Sequence, residues 1–102
     1  MNANIAGFNV DVNEEGYLTD FSQWNKEIAI EIAKQAYIDL TDKHWEIIEW
    51  IQDKVKNEVA LSVRGIKKSG VINIKEFYAL FPGGPLKVST KIAGVPKPKS
   101  CI

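Results

Sequence analysis

Residues 41–57 read TDKHWEIIEWIQDKVKN and predict a long helix. Thr41 can cap a helix that continues to the end of the stretch. Apolar residues recur there at the three- and four-residue spacing of one helix face. They are Trp45, Ile48, Ile51 (or Gln52 in its place) and Val55. Ile47 and Trp50 widen this face, so we expect the helix to lie at the centre of the domain.

A second helix is predicted upstream, over residues 26–37, with Asn25 as its N-cap. Its apolar residues share a single stripe. They are Ile28, Ala29, Ile32, Ala33 and Ala36. This stripe predicts that one side of the helix packs against the rest of the domain.

A small β-hairpin is predicted over residues 5–19. Phe8, Val10 and Val12 alternate with polar residues, as in a strand with one buried face. Residues 13–16 supply turn chemistry, and residues 17–19 are the expected return strand.

Three shorter helices are predicted downstream of the central helix. Their expected spans are residues 62–69, 73–81 and 85–94. Gly70 ends the first, and Glu76, three residues after Asn73, gives the second a capping-box start. Residues 82–84, Pro-Gly-Gly, stop the second, and Pro85 suits the first position of the third. The predicted fold class is therefore mainly α (α+β), a bundle of about five helices with an N-terminal hairpin.

Length and composition indicate one soluble domain. The 102 residues are 45% hydrophobic and 25% charged, which suits a packed core. No apolar run approaches the roughly 20 residues that span a bilayer, and the N-terminus does not resemble a secretory signal. One cysteine cannot form an internal disulfide. We therefore expect a cytoplasmic protein that does not contact membranes.

The net charge of zero hides a strong asymmetry along the chain. Residues 1–63 contain twelve acidic residues and five lysines, a balance of −7, whereas residues 64–102 contain one acidic and eight basic residues, a balance of +7. Such a split is typical of a protein that binds an acidic partner. A dipolar, solvated surface without a partner is the alternative.

Residues 95–102 form a predicted flexible arm, and residues 1–94 form the domain that carries it. Pro96 and Pro98 exclude a helix and favour an extended chain, and Lys97 and Lys99 would help to dock it on acidic partners. Cys101 would stand near the tip of this arm. A thiol with such reach suits a group that is carried between two proteins.

Sulfur transfer is the chemistry that a mobile thiol performs without a cofactor. The Cys101 thiolate would attack the outer sulfur of a donor persulfide, and an acceptor thiolate would later remove that sulfur. This exchange requires no organic cofactor, so none is expected. No metal is expected either, because one His and one Cys do not make a usual zinc site. An incidental cysteine is the alternative.

The stretch at residues 91–102, KIAGVPKPKSCI, resembles the C-terminal signature of the DsrC/TusE sulfur-relay family. That signature is Lys, an aliphatic residue, Ala-Gly, an aliphatic residue, Pro-Lys-Pro, two variable residues, Cys and a final Val or Ile. Other landmarks of the family follow in order along nearly the whole chain. They are Gly16-Tyr17-Leu18, Trp24, His44-Trp45, Leu80-Phe81-Pro82 and Gly84-Pro85.

The resemblance implies helices packed around a small hairpin, with Cys101 as the sulfur carrier. DsrC-type members are partners of dissimilatory sulfite reductase and have a second cysteine, at the position that is Thr90 here. The chain is more similar to the TusE-type branch. That branch receives persulfide sulfur from a TusBCD-like complex and passes it to the thiouridylase that makes 2-thiouridine at the tRNA wobble position. A sulfite-reductase assembly is the alternative partner.

A helix-turn-helix DNA-binding protein is a less favoured hypothesis. Arg64, Lys67, Lys68 and Lys75 lie on two short predicted helices joined by a glycine turn and could contact phosphates. That hypothesis leaves Cys101 unexplained, so direct nucleic-acid binding is not expected.

His44 and the tryptophans are expected to be structural. His44 falls in the first turn of the central helix, away from the predicted arm, and is not expected to be a catalytic base. Trp24, Trp45 and Trp50 are expected in the core rather than on a platform for stacking bases.

Overall fold

The computed structural model of the chain describes residues 1–97. Within them, five α-helices follow an antiparallel two-stranded sheet and a short 3-10 helix. The elements are β1 Asn2–Ile5, β2 Phe8–Asp11, the 3-10 helix Phe21–Gln23, α1 Lys26–Gln35, α2 Asp42–Lys56, α3 Val63–Ser69, α4 Ile74–Leu80 and α5 Pro85–Ala93. The predicted mainly α fold with an N-terminal hairpin is confirmed.

The predicted position of the hairpin is wrong. β2 pairs with the preceding strand β1, in a register that joins Ile5 to Phe8, through a turn at Ala6 and Gly7. Both turn residues have positive φ, 54° and 87°, which suits a two-residue hairpin turn. The expected return strand, residues 17–19, contributes only an isolated bridge between Val12 and Leu18.

The five predicted helices are confirmed, and side-chain caps explain where they start. Asn25 Oδ1 accepts from Ile28 N at 2.9 Å at the start of α1, and Ser62 Oγ accepts from Gly65 N at 2.9 Å at the start of α3. Asn73 caps α4 as predicted. Because each cap satisfies an N–H that lacks a partner within the helix, polar residues fix these starts locally.

α2 is central, as its sequence predicts. Ile47, Ile48 and Ile51 are fully buried, and α5 packs against both α1 and α2. The three tryptophans lie half-buried against this core rather than inside it. A lysine ammonium lies over the Trp45 ring, 5.8 Å from the ring centroid, and another lies over the Trp50 ring, 5.6 Å from its centroid.

His44 is buried and ties the start of α2 to the end of α4. Thr41 N donates to His44 Nδ1 at 3.0 Å, so Nε2 carries the proton and donates to Leu80 O at 2.9 Å. The ring also meets the Phe81 ring edge-on, with centroids 5.1 Å apart. The expectation that His44 is structural is confirmed, because both nitrogens are engaged within the fold.

We expect His44→Ala to lower the free energy of unfolding by about 2–3 kcal/mol, because the Thr41 N–H and the Leu80 carbonyl lose their partner together. Urea unfolding measures this change. Glu49→Ala, at an exposed position of α2, is the control and should change stability by less than about 0.5 kcal/mol. Equal effects of the two substitutions would contradict the assigned role.

Candidate functional site

The C-terminal end of α5 is closed by a Schellman motif. Gly94 has φ 74°, and its N–H bonds to Lys91 O at 3.2 Å. Val95 N bonds to Thr90 O, also at 3.2 Å. These two bonds satisfy two of the four carbonyls that a helix end leaves without intrahelical partners. The chain therefore leaves α5 in a defined direction.

The other two carbonyls are bonded by side chains from distant parts of the chain. Trp24 Nε1 donates to Ile92 O at 2.9 Å, and Gln52 Nε2 donates to Ala93 O at 2.8 Å. Trp24 follows the 3-10 helix, and Gln52 lies on α2. The end of α5 is thus fixed to two other elements at once.

Gly94 lies directly against the Trp24 indole. A Cβ built on Gly94 would fall 2.3 Å from Trp24 Cδ1, far inside contact distance. Both the positive φ and this close approach require glycine here. The Trp24 ring also stacks on Phe21, with centroids 5.9 Å apart.

Residues 92–97, which we call the arm root, comprise the last two residues of α5 and the four that follow. Val95 is buried, 2% exposed, whereas Pro96 is exposed. Both residues line an open, mostly apolar groove of about 490 Å³. The other lining residues are Phe21, Gln52, Asp53, Val55 and Lys56.

Lys97 joins the arm root to the turn after β2. Its Nζ donates to both carboxylate oxygens of Glu15, at 2.8 and 3.0 Å. This hydrogen bond holds the pKa of Glu15 below its usual value of 4.5, and the positive charges of Lys97, Lys87 and Lys91 act in the same direction. The carboxylate is surface-exposed, so the pair is a salt bridge in contact with solvent. We call this pair the Glu15–Lys97 clasp.

Some of the predicted site residues lie within the described residues 1–97, and the others lie beyond them. Cys101, Pro98 and Lys99 lie outside the described residues, so their roles stay predictions. Pro96 forms part of the groove, and Lys97 is held by Glu15. The first three residues of the predicted arm therefore contact the domain, and the division between residues 1–94 and 95–102 stays a prediction.

Sequence reasoning missed the contacts that three side chains make with the arm root. These side chains are Glu15, Trp24 and Gln52. The sequence pattern places Gln52 only as an alternative to Ile51 on the apolar face of α2. The opposite charges of the two halves of the chain gave a signal for the Glu15–Lys97 pair, but that pair spans 82 positions. No local pattern identifies such a contact.

Thr90, at the position where the resemblance implies a second cysteine in DsrC-type members, is fully buried in α5. Its hydroxyl donates to Leu86 O at 2.7 Å, as helical threonines commonly do. The position therefore lies inside the helix that carries the arm root.

The basic residues of the DNA-binding hypothesis lie on α3 and α4, which contact each other. Arg64, Lys67, Lys68 and Lys75 are all exposed. Gly70 forms the left-handed end of α3, as predicted. Exposure of basic residues is equally typical of a solvated surface, so DNA binding gains no specific support.

Comparison with known proteins identifies the family. The family model described as "DsrC like protein" matches residues 4–102. Sulfurtransferase TusE of Photorhabdus laumondii is 40% identical over 104 residues, covering 94% of both chains. Among solved structures, Allochromatium vinosum DsrC superposes with a TM-score of 0.83 at 33% identity, covering 99% of this chain and 97% of its own.

A chain in the crystal structure of dissimilatory sulfite reductase I superposes with a TM-score of 0.85 at 35% identity, and both chains are fully covered. The chain therefore shares its helical fold with a known class of protein. The chain belongs to the DsrC-like family. The sulfurtransferase names of its relatives confirm the expected class of activity.

Among residues 1–97, no helix combines the length and the apolar character that a membrane crossing requires.

We expect Gly94→Ala to destabilise the fold by about 3 kcal/mol, of which about 1 kcal/mol comes from positive φ and about 2 from the clash with Trp24. Gly70→Ala is the matched control, because Gly70 has the same φ of 74° but open space around its Cβ position. Thermal or urea unfolding of both variants isolates the steric part. An equal decrease in the free energy of unfolding for both variants would show that the clash with Trp24 does not affect stability.

The Glu15–Lys97 clasp should open in acid. The pKa of Glu15 is lowered in the folded state, so the stabilising contact is complete above pH 4.5 and is lost as the pH falls through the lower folded value. Side-chain NMR of Lys97 Nζ measures this opening. Glu15→Gln should abolish the transition, whereas Glu14→Gln, in the same turn, should preserve it. A transition that persists in Glu15→Gln would assign it to another group.

Proposed function

We propose that this chain is a persulfide sulfur carrier that accepts sulfane sulfur on Cys101 and passes it to an acceptor protein. One observation carries the proposal. The chain's single cysteine, Cys101, lies four positions after Lys97, whose side chain is paired with Glu15 of the domain. Membership of the DsrC-like family and the sulfurtransferase names of its relatives support it.

The chemistry is an exchange between a thiolate and a persulfide. The Cys101 thiolate attacks the outer sulfur of a donor persulfide, the S–S bond of the donor breaks, and the donor leaves as a thiolate. The new S–S bond on Cys101 then meets an acceptor thiolate, which takes the outer sulfur and releases the Cys101 thiolate. Both steps balance without an external oxidant or reductant.

In this proposal the arm gives Cys101 its reach, and the domain anchors the arm. Pro96 and Pro98 favour an extended chain, and Lys97 and Lys99 favour acidic partners. The boundary between domain and arm, after residue 94, belongs to the same proposal. Because Lys97 is paired with Glu15, a carboxylate on a partner would compete for it.

We further propose that the carrier works in tRNA 2-thiouridine synthesis, with a TusBCD-like complex as donor and a thiouridylase as acceptor. The identity to proteins named TusE, 36–40% over 94% of the chain, supports this branch. Thr90 also supports it, because a single cysteine cannot form the internal disulfide that DsrC-type members form.

The second candidate is a partner of dissimilatory sulfite reductase. The similarity to a chain in the structure of dissimilatory sulfite reductase I favours it. Co-purification separates the two candidates: tagged chain isolated from its own cells should retain a thiouridylase under the first and a sirohaem enzyme under the second.

The direct test is mass spectrometry after incubation with a persulfide donor. We expect the wild-type chain to gain about 32 Da, one sulfur atom, on Cys101. Cys101→Ser should gain nothing, because it lacks the nucleophile, and its unfolding curve should match that of the wild type.

Ser100→Ala is the matched control and should load as the wild type does. An unmodified Cys101 in the wild-type chain would refute the carrier function.

A further inference from the structure

Residues 13–17, which we call the Glu15 turn, hold Glu15 in a fixed position. Asn13 Oδ1 accepts from the backbone N–H groups of Glu15, at 2.9 Å, and Tyr17, at 3.0 Å. Asn13 N also donates to Tyr17 O at 2.9 Å. Since these bonds fix the backbone on both sides of Glu15, as Asn side chains commonly do in turns, the Glu15 side chain projects from a rigid base.

The Glu15 turn is joined to α5, the helix that leads into the arm root. Tyr17 is buried, and its hydroxyl donates to Lys87 O at 3.0 Å, across 70 positions of the chain. The Lys91 side chain packs closely against Gly16, where an added Cβ would lie 3.0 Å from Lys91 Cε. The turn and the end of α5 are therefore fixed to each other.

The Glu15–Lys97 clasp connects this turn to the last described residue of the chain. Within residues 1–97 it is the one ion pair that joins distant positions, since the other joins two residues of α2. Glu14, the neighbouring acidic residue, makes no ion pair within the same part of the chain. The contact with Lys97 is thus specific to Glu15.

The clasp shortens the segment that connects Cys101 to the domain. Val95 is held without the clasp, because it is buried and its N–H is bonded to Thr90 O. Cys101 lies six positions after Val95 but four after Lys97, which allows at most about 22 Å and about 14 Å between the Cα atoms. The effective concentration of a tethered group falls roughly as the −3/2 power of tether length, so opening the clasp lowers that of the thiol beside the domain about twofold.

We propose that Glu15 is a positioning residue for sulfur transfer. By holding Lys97, its carboxylate confines Cys101 to the side of the domain that carries the Glu15 turn and the end of α5. This inference rests on the proposed function, since it states how Cys101 is presented to a partner protein. A partner that binds the domain and exchanges sulfur with Cys101 must order the connecting residues, and the closed clasp leaves fewer of them to order.

Spin labelling of the full-length chain tests the position of Cys101. Cys101 is the single cysteine, so a nitroxide attached to it marks one site without any other substitution. We expect paramagnetic broadening of the amide NMR signals of residues 13–17 in the wild type, and weaker broadening, by about twofold, in Glu15→Gln. Glu14→Gln is the matched control, because it removes the same charge from the same turn and should broaden these signals as the wild type does.

Sulfur loading tests the role of Glu15 in transfer. We expect Glu15→Gln to slow loading of Cys101 from the persulfide-loaded donor complex proposed above by about two- to fivefold relative to Glu14→Gln, the range that an exposed ion pair contributes. Loading from inorganic polysulfide, which does not have to bind the domain, should be equal in the two variants. In the Lys97→Gln background, Glu15→Gln should have no further effect, since the pair is already broken.

The positioning role would be overturned by unchanged broadening in Glu15→Gln, by donor loading that is unchanged, faster or additive with Lys97→Gln, or by equal slowing with both sulfur sources. Faster donor loading would show that the clasp withholds Lys97 from the partner. All of these results leave the carrier function intact, because wild-type Cys101 still accepts sulfur. A wild-type chain that loads from neither source would instead refute the proposed function. If it loads from polysulfide alone, the donor assignment fails, and the broadening measurement decides the position of Cys101.

Discussion

The hydrogen bonds that close the C-terminal end of α5 are the constraint on which the site depends. A helix end exposes four carbonyls without intrahelical partners, and leaving them buried and unpaired is costly. Here the Schellman bonds satisfy two, and Trp24 and Gln52 satisfy the others. Since those two side chains come from different elements, the direction in which the chain leaves α5 is fixed by the whole domain.

This constraint also limits the distance between Cys101 and the domain. Val95 is buried, its N–H is bonded to Thr90 O, and Lys97 is paired with Glu15, so the described chain contacts the domain as far as Lys97. Four positions separate Lys97 from Cys101, which allows at most about 14 Å between their Cα atoms. Under the proposed function, a protein that exchanges sulfur with Cys101 therefore brings its own sulfur close to the domain.

Local chemistry in the sequence predicts the helices but not the contacts that build the site. Asn25, Ser62 and Asn73 cap within three residues, so their patterns are visible along the chain. The sequence pattern misplaces the hairpin because Ala6 is not a typical turn residue, although it adopts φ 54° beside Gly7. The bond from Trp24 to Ile92 spans 68 positions, and only packing of the complete fold brings them together.

Under the proposed function, Thr90 limits how sulfur can leave the carrier. A second thiol at this position could attack a persulfide on the same chain, as the resemblance implies for DsrC-type members. Thr90 instead donates its hydroxyl to Leu86 O and has no nucleophile to offer. The 102 residues contain one cysteine, so release of sulfur as proposed requires a thiolate from another protein. The direction of transfer proposed for this chain is then set by which partner protein presents its thiolate to the persulfide.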